Sequence, residues 1–159
     1  MVNTAHDKDS LMVLMEQIKD PEIPVVSIVD LGIVRNIEFE DNEPVVTITS
    51  TYNGCPAMDM ISMQIIALLQ SLGFKQPKIK MSLHPAWTTD WINDDAKKRL
   101  QEYGIAPPDK RFTIPADGVE CPRCHSMSTR LISAFGSTAC KALYQCNDCK
   151  EPFDFFKCH

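Results

Sequence analysis

Four cysteines form two C-x2-C pairs, Cys121-Pro122-Arg123-Cys124 and Cys146-Asn147-Asp148-Cys149, with 21 residues between them. Two residues between cysteines let a tight turn aim both sulfurs at one ion, and two such knuckles complete a tetrahedral thiolate site. The pattern predicts a zinc ribbon with Cys121, Cys124, Cys146 and Cys149 as structural zinc ligands. A rubredoxin-like iron site suits the same four sulfurs. However, His125 and Lys150 stand where such redox sites carry a glycine after the cysteine pair. Cys140 and Cys158 remain outside the pairs; they pack or lie beside the site, with Cys158 an alternative ligand. His125 reads as a surface residue.

A fifth sulfur stands apart. Residues 51–57 read TYNGCPA, placing Cys55 where a strand hands over to a helix that opens at Pro56. Proline is favoured at the first helical position, which makes Cys55 the expected N-cap. Free N–H groups and the positive end of the helix dipole would there stabilise a thiolate and depress its pKa. The alternative is a small buried hydrophobe. A papain-like role would need a histidine, and His84 is the candidate base. Asp20, Glu22 and Asp30 are further candidate polar groups, although Asp20-Pro21 and Asp30-Leu31-Gly32 also read as turn chemistry. Trp87 and Trp91 read as core lids.

The elements that must position these groups follow from periodicity. Residues 10–19 carry Leu11, Leu14, Met15 and Ile18 at helical spacing, capped by Asp9 or Ser10 and stopped by Pro21 and Pro24. A turn at Asp30-Leu31-Gly32 leads into a strand through Ile37 and Phe39. Asp41–Pro44 is a turn, and a second strand through Val46 and Ile48 completes a hairpin. Residues 56–72 form a long helix with Ile61, Ile65, Leu68, Leu69 and Leu72 as its stripe. Its added methionines predict burial nearly all round. Residues 78–84 alternate as a third strand. A helix runs from Asn93 to Tyr103 and closes at Gly104. The expected fold is α+β: a small α-β-β-α-β domain over residues 1–104, a Pro-rich linker over 105–116, and a zinc ribbon over 117–159. At about forty residues the ribbon is too small to stand on its apolar core, so a metal staple is needed.

Charge narrows the function classes. The chain carries 16 Lys+Arg against 21 Asp+Glu, a net charge of −5, and 44% apolar residues. Residues 116–159 hold five of each sign, hence zero before any thiolate is counted. Four thiolates around a zinc dication would turn the ribbon negative, the wrong sign for phosphate, so no nucleic-acid partner is expected. The polar opening MVNTAHDKDS and the lack of a long apolar run predict neither secretion nor a membrane partner. Seven cysteines in such a chain point to reduced thiols in a cytoplasm.

DPEIPVVSIVDLGIVRNI, TYNGCPA and HPAWTTDWI together resemble the small α/β domain shared by SufT-like proteins and the targeting subunit of cytosolic iron–sulphur assembly. QEYGIAPP, CPRC, FGSTACKALYQC and EPFDFFKCH extend the likeness to the PaaD family, the D subunits of the bacterial phenylacetyl-CoA 1,2-epoxidase system. The resemblance covers about residues 11–159. It implies a bacterial cytoplasmic protein of aerobic phenylacetate catabolism, partnered by other epoxidase components. These include a di-iron oxygenase subunit, which the D protein is not, and a flavin and iron–sulphur reductase. The assembly-factor relatives imply a role in delivering or maturing a metal centre, with iron or an iron–sulphur cluster as a transient cargo. The family's DPE motif falls on Asp20, Pro21 and Glu22, its DLG motif on Asp30, Leu31 and Gly32, and its reactive cysteine on Cys55.

The expectation is therefore an accessory, non-catalytic component, in which Cys55, supported by Asp20, Glu22 and Asp30, handles iron while the ribbon docks on a partner. One rival is a stoichiometric oxygenase subunit with a structural or catalytic role. The chain has no phosphate loop, dinucleotide fingerprint or ExxH di-iron pattern, and only four histidines. The other rival is a zinc-ribbon binding module.

Overall fold

A computed structural model describes residues 6–108, 114–115 and 117–157. The chain divides into two compact units, Met1–Trp87 and Thr88–His159.

In the first unit, helix α1 (Lys8–Met15) starts earlier than periodicity suggests, because Asp7 rather than Asp9 or Ser10 caps it, accepting the Ser10 N–H at 2.8 Å. It buries Leu11 and Met15. Strands β1 (Val34–Glu40) and β2 (Glu43–Ile48) form the expected hairpin. Their two-residue turn has Asp41 and Asn42 at φ 49° and 65°, the left-handed pair that matches strand twist. Helix α2 (Ala57–Ser71) then carries the chain across the sheet so that β3 (Lys78–Met81) pairs parallel to β2, giving the order β1-β2-β3. β3 stops short of His84, with one further bond from the Ser82 N–H to the Ile48 carbonyl at 2.8 Å. α2 is not buried all round: Ile61, Ile65 and Leu69 face the core, but Met60 and Met63 are 52% and 71% exposed.

Between α1 and β1 the chain folds on itself. Lys19 and Ser27 form an antiparallel bridge, the Asp20 N–H donates to the Val26 carbonyl at 3.0 Å, and Val26, Ile28, Leu31 and Ile33 fill the core. Gly32 turns at φ 69°, a conformation open to glycine at little cost.

In the second unit a short 3-10 turn (Thr89–Trp91) precedes helix α3 (Asp94–Tyr103), which Asn93 caps by accepting the Ala96 N–H at 2.7 Å and Gly104 ends at φ 95°. Two features depart from the expected boundaries. α3 belongs with the ribbon rather than with residues 1–87. And the first residues of the predicted linker are a strand: β4 (Ile105–Ala106) pairs parallel with β7 (Pro152–Phe156). The left-handed Gly104 turn delivers the chain directly to that edge. The rest of the linker lies largely outside the described residues, as does Cys158. β5 (Thr129–Ser133) and β6 (Lys141–Cys146) complete a sheet ordered β4-β7-β6-β5. Its core joins Ala106, Val119, Cys121, Ala142, Tyr144, Cys146, Phe153 and Phe155. Tyr144 packs against both phenylalanines, and its hydroxyl donates to the Pro115 carbonyl at 2.8 Å. No helix among the described residues is long and apolar enough to cross a membrane.

Candidate functional sites

The ribbon brings its four predicted ligands together. The sulfurs of Cys121, Cys124, Cys146 and Cys149 all lie within 4.8 Å of one another, the one such grouping of potential metal ligands among the described residues. Cys121 and Cys149 are 3.8 Å apart and Cys124 and Cys146 are 3.5 Å apart. A tetrahedron with metal–sulfur bonds of about 2.3 Å has edges of about 3.8 Å. The donor set therefore fits a metal ion.

Each knuckle is a backbone reversal closed by hydrogen bonds. The His125 N–H donates to the Cys121 carbonyl, and the Cys121 N–H to the Ser126 carbonyl, both at 2.9 Å. In the second knuckle the Cys146 N–H donates to the Glu151 carbonyl at 3.0 Å. The reversal needs a left-handed residue after each pair, and His125 (φ 61°) and Lys150 (φ 66°) supply it without being glycine. That conformation costs roughly 1–2 kcal/mol per residue. Two side-chain contacts tie the knuckles together: Ser126 donates to Asp148, and Arg123 pairs with Glu151 at 3.3 Å.

Backbone donors also face the sulfurs. The N–H groups of Cys149 and Asp148 bring the Cys146 thiol down to about 7. The Ser126 N–H favours the thiolate of Cys124, and the Glu151 N–H that of Cys149. Even so, burial and the neighbouring sulfurs leave Cys124 raised and push Cys149 up to about 12. Four thiols this close do not all ionise without a cation between them.

Cys55 departs from its expected environment. α2 begins one residue later than the sequence suggests, so Pro56 occupies the cap position and no side chain caps the helix. The Met58 N–H donates to the Cys55 carbonyl at 3.3 Å. Of the helix's free N–H groups, that of Ala57 favours the Cys55 thiolate, helped by the Tyr52 hydroxyl. Burial outweighs both, and the carboxylates of Glu22 and Asp20 push in the same direction, so the thiol is raised rather than depressed. The dipole argument fails because the sulfur is half-buried beside two negative charges.

Asp20 and Glu22 act on Cys55 as charges, in opposition to the thiolate. Asp20, 8% exposed, accepts the N–H groups of Glu22 at 2.8 Å and Ile23 at 2.9 Å. Asp30 closes its own turn: its carboxylate accepts the Ser27 N–H at 2.8 Å and its N–H donates to the Ser27 hydroxyl at 3.0 Å. His84 is exposed in the turn beyond β3. Cys140 is buried, with its sulfur 3.0 Å from the Thr138 hydroxyl. Tyr52 was missed by sequence reasoning. Its position three residues before Cys55, across the Asn53-Gly54 turn, was the available signal.

Comparison with known proteins follows the same division. Residues 8–76 match a family described as "Iron-sulfur cluster assembly protein", and residues 106–157 match "PaaD zinc beta ribbon domain". The chain is 51% identical to an Escherichia coli protein named as the D subunit of a "Putative 1,2-phenylacetyl-CoA epoxidase", across 91% of this chain and 89% of that protein. It is 32% identical to the "Fe-S protein maturation auxiliary factor" of Porphyromonas gingivalis, over 58% of this chain and 90% of the relative. Among solved structures, a crystal structure of a DUF59 domain from Bacillus anthracis matches at TM-score 0.54 and 27% identity, over 58% of this chain and 90% of that one.

Proposed function

The chain belongs to the PaaD family of phenylacetyl-CoA epoxidase D subunits, and from that membership we propose that it is an accessory protein assisting assembly of an iron or iron–sulphur centre in the epoxidase. The observation that carries the proposal is the Cys55 corner. A half-buried thiol lies within the electrostatic reach of the Asp20 and Glu22 carboxylates, in a domain whose relative is named for iron–sulphur protein maturation. Sulfur and carboxylate together suit a soft-to-borderline cation such as ferrous iron. The negative carboxylates favour an arriving cation, and the raised thiol keeps its proton until that cation displaces it. The iron unit is cargo, received and passed on.

In the ribbon, Cys121, Cys124, Cys146 and Cys149 would hold zinc, which supplies folding energy rather than reactivity when bound. The ribbon's role is to dock on another epoxidase component. A cytoplasmic setting, with neither membrane nor nucleic acid as partner, accords with four reduced cysteines grouped for metal and the net charge of −5. The name of the Escherichia coli relative, which makes it a lettered component of the epoxidase itself, favours a second reading: a stoichiometric subunit of the finished complex.

The deciding experiment is to produce the epoxidase with and without this chain. Iron, iron–sulphur content, flavin and turnover are then measured on the purified oxygenase and reductase. The accessory reading expects metal-poor components without the chain, and metal-replete components that stay active after it is removed. Full metallation without the chain contradicts it. Activity lost and regained with the chain itself supports the subunit reading.

A further inference from the structure

Trp87, 6% exposed, donates its indole Nε1–H to the Leu31 carbonyl at 2.7 Å, across 56 residues of sequence. Leu31 is 1% exposed, so its backbone has little recourse to water if that donor is lost. Leu31 is the middle of the DLG turn, and the bonds of that turn lead back toward Cys55. The Leu31 N–H donates to the Ser27 carbonyl at 3.1 Å. Ser27 is locked to Asp30 by two bonds, at 2.8 and 3.0 Å, and bridges to Lys19. The next residue, Asp20, donates its N–H to the Val26 carbonyl at 3.0 Å and gathers the N–H groups of Glu22 and Ile23 on its carboxylate. Joined through short stretches of backbone, these bonds connect the loop held by the indole to the Asp20 carboxylate and to the backbone of Glu22.

We propose that Trp87 is a positioning residue for the Cys55 site: its indole N–H fixes the DLG turn and, through it, the register of Asp20–Ile23, the segment whose two carboxylates act on the sulfur as charges. Apolar packing alone would need the ring but not the donor. The nitrogen is directed at the backbone carbonyl of the loop that carries Asp30 and leads to Asp20. The proposal rests on Cys55 being the functional thiol, but its test reads the loop and the sulfur directly.

Trp87→Phe in the full chain keeps an aromatic ring and removes the donor. Amide exchange at Glu22, Ile23 and Ser27 should accelerate about tenfold or more, while amides of Ile61–Leu69 keep their rates, because the loop opens locally rather than with the whole unit. Iodoacetamide alkylation of Cys55 at pH 7, followed by mass spectrometry, should speed up about threefold as carboxylates and cover withdraw. In a Glu22→Gln background the further gain should shrink, since part of the obstacle is already gone. Ser27→Ala, on the same path, should repeat both signs and serves if Trp87→Phe does not fold. Exchange that rises equally in the loop and in α2, or unchanged Cys55 alkylation with a loosened loop, overturns the proposal and leaves Trp87 as core packing. Because neither readout involves iron, a normal iron supply from a Cys55→Ser strain would refute the cargo reading without deciding this one.

Discussion

In the ribbon, backbone N–H groups bring only the Cys146 thiol down, to about 7, while burial and neighbouring sulfurs leave Cys124 and Cys149 raised; at Cys55 one N–H and one hydroxyl are outweighed by burial and two carboxylates. The ribbon gathers four sulfurs within 4.8 Å of one another, and they all ionise only with a cation between them. The Cys55 corner is organised around a neutral thiol next to negative oxygen. A permanent ion belongs at the first site. On the proposed function, a cation at the second site exchanges with a proton and is later given up. The same element would then serve shape in one unit and transfer in the other, through the groups around the sulfur rather than the cysteine itself.

The comparison breaks most visibly in the ribbon. Cys121→Ser or Cys149→Ser should abolish zinc binding, read as near one zinc per chain before and none after. It should also unfold the β4–β7 sheet, since structural zinc contributes about 10–16 kcal/mol to small domains. Amide exchange of residues 129–156 should rise to unprotected rates, with β1–β3 of the first unit unaffected. A ribbon that stays protected without metal would show that its aromatic core alone suffices.

A smaller effect sharpens the Cys55 side. Glu22→Gln removes one charge that raises the thiol, so the pH midpoint of Cys55 alkylation should fall and its rate at pH 7 should rise several-fold. The sign carries over to stability. A thiol whose pKa is raised by folding binds its proton more tightly in the native state. Its contribution is therefore complete below the unfolded value, about 8.5, and is lost as pH rises through the folded value. Denaturation of the first unit should become easier above about pH 8.5 in the wild type and less so in Cys55→Ser. An unchanged alkylation midpoint in Glu22→Gln would remove the carboxylates from the account.

The smallest effect concerns the knuckles. His125→Gly and Lys150→Gly each relieve a left-handed backbone, and either should stabilise the metal-loaded ribbon by about 1 kcal/mol, measured by denaturant midpoint. Loss of stability at position 125 would assign more weight to the 2.7 Å His125–Glu120 contact than to backbone strain.

Much of this layout was legible in the chain because local chemistry dictated it. Paired cysteines two apart can hardly avoid a knuckle, the hairpin turn sits on Asp41-Asn42, and Asn93 and Gly104 bracket α3 as their types demand. What escaped was tertiary. The burial of Cys55 and the approach of Glu22 and Asp20 depend on how a loop from residues 19–33 folds back, and no periodicity records that. A helix dipole could be inferred from Cys55-Pro56; the opposing charges could not. The Tyr52 hydroxyl at Cys55 and the Trp87 bond to Leu31 are particular contacts, which leave no pattern in sequence. The exposed Met60 and Met63 defeated an argument from composition, since methionine tolerates either side of a helix. β4 was hidden because two residues before a proline pair look like linker until an open strand edge receives them.

The central claim is that Cys55 carries the function while the ribbon carries the shape. Serine at position 55 keeps the size of the side chain and removes the soft sulfur. The direct measurement is elemental analysis of three proteins from cells carrying only Cys55→Ser: zinc in this chain, and iron in the oxygenase and in the reductase of the epoxidase. The account predicts unchanged zinc, near one per chain, with iron in the epoxidase components several-fold below wild type and poor growth on phenylacetate. Full iron content and normal growth with Cys55→Ser would contradict it and reduce Cys55 to a packing residue.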